Sequence, residues 1–198
     1  MRLFAETLAM GDAEALAPVL LAIEDPDAFV QEYSGRGSFA DEPDYDNLIE
    51  EAQDAEDGLH PFTVLFEVYQ TRGLFGFIDW RSIPEETISQ VEPMLHRFGI
   101  RDFDWSFIDV LDEHGDGTEM QNQNFLSLLR DRLQPLGLTF VSIDLFSDSY
   151  GFAVLRTDDY RKIDGYTDPD HFAVGTEFGA DEAYERGKQI LAEAEARG

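Results

Sequence analysis

Apolar residues fall at helical spacing through the first part of the chain. Leu16, Val19, Leu20 and Ile23 recur three and four residues apart, with Asp12 placed to cap the helix they predict. Asp25-Pro26 opens a second, short helix with Pro26 at its first position and Phe29, Val30 and Tyr33 turned inward. Residues 34–38 (SGRGS) read as a loop that residues 39–46 continue, and a third helix is predicted from Asp46 to about Asp57. His60-Pro61 then opens a helix with Phe62, Leu65, Phe66 and Tyr69 on one face, stopping near Gly73.

The pattern changes at residues 74–80 (LFGFIDW), a short apolar run that reads as a buried strand. Ser82-Ile83-Pro84-Glu85 has the form of a capping box. The helix after it shows Ile88, Val91, Leu95 and Phe98, is expected to kink or split at Pro93, and ends at Gly99. A turn is expected around Asp104–Asp109, then a long helix over about 119–134 with Phe125, Leu128, Leu129 and Leu133 as its stripe. Two strands, 138–145 and 150–155, predict a hairpin over about 138–155. A short helix from Asp158 to Ile163, an irregular stretch over 164–180 and a terminal helix over Asp181–Ala196 complete the chain. Helices on a small mixed or antiparallel sheet make the fold class α+β.

The length of 198 residues suits one domain. Within it the reading separates an acidic helical part (about 1–58), an α+β core (about 59–163), and the irregular segment with its terminal helix (about 164–197). Gln70-Thr71-Arg72-Gly73-Leu74-Phe75 echoes Gln134-Pro135-Leu136-Gly137-Leu138-Thr139, and each run leads to Ile-Asp. Either a helix–strand unit is duplicated, or two helices both need a glycine C-cap before a buried strand.

Charge narrows the partners. Asp and Glu number 42 against 14 Lys and Arg, a net charge of −28. Such a field repels phosphate backbones and anionic lipid, so nucleic acid and membrane surfaces are disfavoured, and a basic protein partner or counter-cations are favoured. The same acidity also serves solubility or salt adaptation without any partner. An aromatic content of 13% separates the chain from disordered acidic tails. With no cysteine, disulfides and thiolate chemistry are excluded, which favours a cytoplasmic location. The N-terminal residues carry an early acid and no long apolar run, arguing against a signal peptide, and no stretch is long and apolar enough to span a bilayer.

Candidate chemistry is sparse. Asp79 and Asp144 end the two clearest strands, and with Asp148 they are candidate oxygen ligands for Mg²⁺ or Ca²⁺; local turn bonding explains the same residues without metal. Residues 112–123 resemble a calcium loop, with Asp112 first, Asp116 fifth and Gly117 sixth. The third position is His114 and the twelfth Gln123, which departs from that pattern. None of the four histidines, His60, His96, His114 and His171, has recognised zinc spacing. No nucleophile elbow or phosphate-binding glycine loop is present. Trp80, Trp105, Tyr150, Tyr166, Phe172 and Phe178 serve either a core or a ligand surface.

Residues 74–80, the Phe103-Asp104-Trp105 run and residues 143–155 (IDLFSDSYGFAVL) resemble a bacterial family of unknown function, over roughly 45–163. The resemblance implies a small α+β domain and no catalytic residues. Size, charge and aromatic content give a looser likeness to acidic immunity proteins of toxin systems. The leading expectation is therefore a non-enzymatic, protein-binding or regulatory domain. The alternative is a metal-assisted enzyme or small-molecule binder using Asp79, Asp144 and Asp148.

Overall fold

The computed structural model describes residues 1–36, 42–54, 58–79, 81–179 and 181–197. Residues 37–41 of the loop reading, the predicted helix end at Asp57, and Trp80 lie outside those residues.

The chain opens with a helix the sequence reading did not assign, α1 (Arg2–Ala9), which buries Phe4, Ala5, Leu8 and Ala9. Next come α2 (Ala13–Glu24) and α3 (Pro26–Tyr33). Their starts match the predicted caps: Asp12 accepts the Ala15 N–H at 3.0 Å, and Asp25 accepts the Ala28 N–H at 2.9 Å. The buried face of α2 is Ala15, Pro18, Val19 and Ala22; Leu16, Leu20 and Ile23 are only half-buried. Small residues here let α2 lie close against its neighbours. α4 (Tyr45–Asp54) and α5 (Pro61–Thr71) complete this layer.

Leu74 and Phe75 are buried ahead of β1 (Gly76–Asp79), and α6 (Pro84–Arg97) follows it. The capping box does not form. Ile83 takes the N-cap position without a side-chain bond, because Pro84 at the first helical position starts the helix one residue later than the box requires. Nor does Pro93 split α6, which runs unbroken past it. The expected turn at 104–109 contains the start of a further helix, α7 (Ser106–His114), which buries Phe107 and Leu111. A 3-10 turn (Thr118–Met120) leads into α8 (Asn122–Leu133), which buries Phe125, Leu126, Leu128, Leu129 and Leu133.

The hairpin forms as expected from β2 (Leu138–Asp144) and β3 (Ser149–Arg156), paired antiparallel with Phe140 opposite Val154. Its connection uses no Asn-Gly turn. Phe146 takes the left-handed conformation (φ 54°), and the Asp144 side chain accepts its N–H at 2.8 Å. α9 (Thr157–Tyr160) comes next. The stretch expected to be irregular contains two short strands, β4 (Thr167–Asp168) and β5 (Phe172–Gly175). β5 pairs with β2 through Ile143 opposite Val174, so this segment extends the sheet. Sequence alternation is too short there to show it. α10 (Glu182–Glu195) closes the described chain, capped by Asp181.

The five strands form an antiparallel sheet in the order β1-β3-β2-β5-β4, which makes the fold α+β. Alternation along its strands serves two cores. Val141, Ile143, Ala153 and Leu155 face helices α1 to α5. Phe140, Phe152, Val154 and Ile78 face α6, α7, α8 and α10. The outer edge of β1 is covered by one side chain: Gln90 accepts the Phe77 N–H at 2.8 Å and donates to the Phe77 carbonyl at 3.0 Å. The amide thus takes the place of a sixth strand. Gly73 and Gly137 both adopt positive φ at the ends of helical turns, so the C-cap reading accounts for their shared position before a strand.

Candidate functional site

The strand-end carboxylates do not meet. β3 lies between β1 and β2. Asp144 is opposite Tyr150, on the same face as Ile78, whereas Asp79 is opposite Ser149, on the other face. Each does local work: Asp79 accepts the Arg81 N–H at 2.9 Å, and Asp144 holds the hairpin turn. Asp148 is exposed beyond that turn. Register therefore separates Asp79 from Asp144 across the sheet.

The calcium-like loop does hold a cation, but it is a guanidinium. Arg186 of α10 donates to Glu119, to Asp116 at 2.8 Å, and to the Thr118 hydroxyl. Glu119 is fully buried and also accepts the Asp116 N–H at 3.1 Å. Burial opposes ionisation of Glu119, yet Arg186 and the backbone donors outweigh it and hold the carboxyl below the usual glutamate range.

Histidine chemistry appears where sequence spacing gave no sign of it. His60 occupies the N-cap of α5, and its Nδ1 accepts the Phe62 N–H at 3.1 Å. His171 closes the turn between β4 and β5, its N–H donating to the Asp168 carbonyl at 3.1 Å. The two rings stack with centroids 3.5 Å apart and planes 13° from parallel. Asp168 Oδ1 is 3.0 Å from His171 Nδ1, and this bond holds the Asp168 carboxyl below the usual aspartate range. Taking one ligand atom from each of His60, Asp168 and His171, all lie within 4.8 Å of one another, and all three residues are half-buried. The only legible signal was residue type, since the two histidines come from distant parts of the chain.

The second feature is a surface around α7. Asp102, Asp104, Asp109, Asp112 and Glu113 are exposed, with half-buried Phe103, Trp105 and Ile108 among them. Asp109, Asp112 and Glu113 stand three and four residues apart and so share one helix face. Phe103 and Trp105 meet edge to face at 4.6 Å. Among the described residues, no Lys or Arg nitrogen lies within 4.0 Å of these five carboxylates. Other cations enter internal pairs, such as Arg72 and Arg97 on Asp12 and Arg132 on Glu195; hydrogen bonds from Ser106, with the Arg132 charge adding to them, hold the Asp104 carboxyl below the usual aspartate range. Arg97, Arg156 and Lys162 gather along a separate cleft of about 590 Å³, away from α7.

A family model described as "Domain of unknown function (DUF6630)" matches residues 1–169. No curated protein and no solved structure matches the chain. The matched span ends inside the β4–β5 turn, so the sheet continues past it through β5. Among the described residues, no helix is long and apolar enough to cross a membrane.

Proposed function

The chain belongs to the DUF6630 family, whose description assigns no activity, and from that premise we propose that it is a non-catalytic binding module whose α7 surface docks a basic protein partner. One observation carries this reading: Asp102, Asp109, Asp112 and Glu113 are exposed carboxylates without a Lys or Arg ion pair, on the same segment of chain as a half-buried aromatic pair. Interfaces concentrate their energy in aromatic anchors, while a rim of one charge speeds encounter and rejects partners of like charge. Trp105 and Phe103 supply the anchor; Asp109, Asp112 and Glu113 supply the rim. In this reading the protein sequesters or regulates its partner and leaves it chemically unchanged.

The test compares capture of partner proteins by the wild type, by the triple variant Asp109→Asn/Asp112→Asn/Glu113→Gln, and by a control, Glu85→Gln/Glu86→Gln, on α6. A basic protein retained at low salt by wild type and control, weakened at high salt and lost by the α7 variant, supports the proposal. Equal retention by all three, or equal loss from both variants, sinks it.

A further inference from the structure

We propose that His60, Asp168 and His171 form a binding site for a divalent transition-metal ion of the zinc class. The site is separate from the α7 surface and does not depend on it.

The scaffold is built to hold these side chains at one corner. Pro61 at the first position of α5 fixes the backbone beside His60. Two consecutive stacks join that helix start to β5: His60 on His171 at 3.5 Å, and Phe62 on Phe172 at 4.4 Å. Phe172 is fully buried and forms an apolar floor. The turn from Asp168 to His171 sets the carboxylate against the imidazole on its own strand pair. The corner has an apolar floor and is half-open to solvent, and three protein ligands leave room for water or another ligand on the ion.

The donor set selects the metal. Two imidazole nitrogens and one carboxylate oxygen suit Zn²⁺, Co²⁺ or Ni²⁺; Mg²⁺ and Ca²⁺ prefer an all-oxygen shell. His171 Nδ1 and Asp168 Oδ1 face each other at 3.0 Å, so an ion seated between them takes both atoms and displaces any proton held there to Nε2 or to solvent.

Binding has a definite structural consequence. Imidazole lone pairs lie in the ring plane, so two nearly parallel rings cannot aim at one ion. The ion must open the stack. It must also compete with the capping bond, because His60 Nδ1 accepts the Phe62 N–H. The ion either takes Nδ1 directly or takes Nε2 after the ring proton moves to Nδ1. In both cases the Phe62 N–H loses its acceptor, and its amide resonance reports the event.

The test uses the full chain without a polyhistidine tag, titrated with Co²⁺ and then Zn²⁺ in a large excess of Mg²⁺ that occupies the diffuse acidic surface. We expect one Co²⁺ per chain, visible d–d absorption, displacement by Zn²⁺, and a shift of the Phe62 amide. His171→Gln and His60→Asn should each weaken binding at least tenfold; Asn keeps a helix cap at position 60, so the fold survives. The double variant His96→Gln/His114→Gln should bind as wild type does. Absent absorption in the wild type, unchanged affinity in His171→Gln and His60→Asn, or loss in the His96/His114 variant would overturn the proposal.

Discussion

The two faces of the sheet are filled by different means. Helices α1 to α5 meet the first face through an almost wholly apolar core, in which Tyr69 brings its hydroxyl to the Ala5 carbonyl at 2.8 Å. On the second side, the layer of α6, α7, α8 and α10 buries Thr87, Glu119, Asn122, Asn124 and Ser127. Most of these bind backbone: Asn122 donates to Asp79 at 2.8 Å, Asn124 to Thr118 at 3.1 Å, and Ser127 to Gly179 at 2.9 Å. The lesson concerns specificity. Apolar burial depends on area and tolerates repacking, whereas buried polar bonds depend on partner and direction. The second layer should therefore be the more sensitive to single substitutions and to pH.

The hardest break in that comparison is Gly76→Ala. Gly76 sits opposite Phe152, and an added Cβ would lie 2.1 Å from the Phe152 ring. Phe152 is fully buried, so the ring has no space to yield. The cost should be about 3 kcal/mol in urea unfolding. Adding Phe152→Leu should recover part of it by removing the ring. A loss that the second substitution deepens would place the obstacle in the backbone instead.

A milder probe separates the faces by pH. Glu119→Gln removes a buried carboxylate paired with Arg186. Folding lowers the Glu119 pKa, so the stability it contributes is present above the ordinary glutamate range and is lost as pH falls through the lower folded value. The difference in stability between wild type and variant should thus be largest near neutrality and shrink in acid. Taking this difference cancels the change in net charge shared by both proteins. A pH-independent difference would show that the pair contributes through packing alone.

Legibility in the sequence followed the same divide. The first helix starts were readable because caps are local: Asp12 and Asp25 each bond a backbone amide three residues on. The hairpin was readable because its strands are long enough to show alternation. β4 and β5 were not, since strands of two and four residues owe their existence to β2 as a neighbour. α7 was hidden by the acids that decorate its exposed side. Among the site candidates, Asp79 and Asp144 stood out by their equivalent places in two similar segments, but register put them on opposite faces. His60 and His171 carried no spacing signal because the fold alone brings them together. The Arg186 clamp on the acidic loop was likewise invisible; of its acceptors only Asp116 was among the calcium-like positions, and the buried Glu119 was not.

The smallest expected effect tests the apolar face on its own terms. Tyr69 is fully buried, and burial raises its hydroxyl pKa far above neutrality, so the group stays protonated throughout the acid range. Tyr69→Phe deletes one buried hydrogen bond and leaves the ring in place. The Ala5 carbonyl also lies within the hydrogen-bonded run of α1, so the loss should be only about 1 kcal/mol. It should be the same at every pH where Glu119→Gln changes its effect. Measured side by side, a flat line for Tyr69→Phe and a sloping one for Glu119→Gln would establish that the polar layer carries the pH response of the fold. Two parallel lines would remove that distinction, because a layer without a working buried charge has no reason to respond to acid differently from its apolar counterpart.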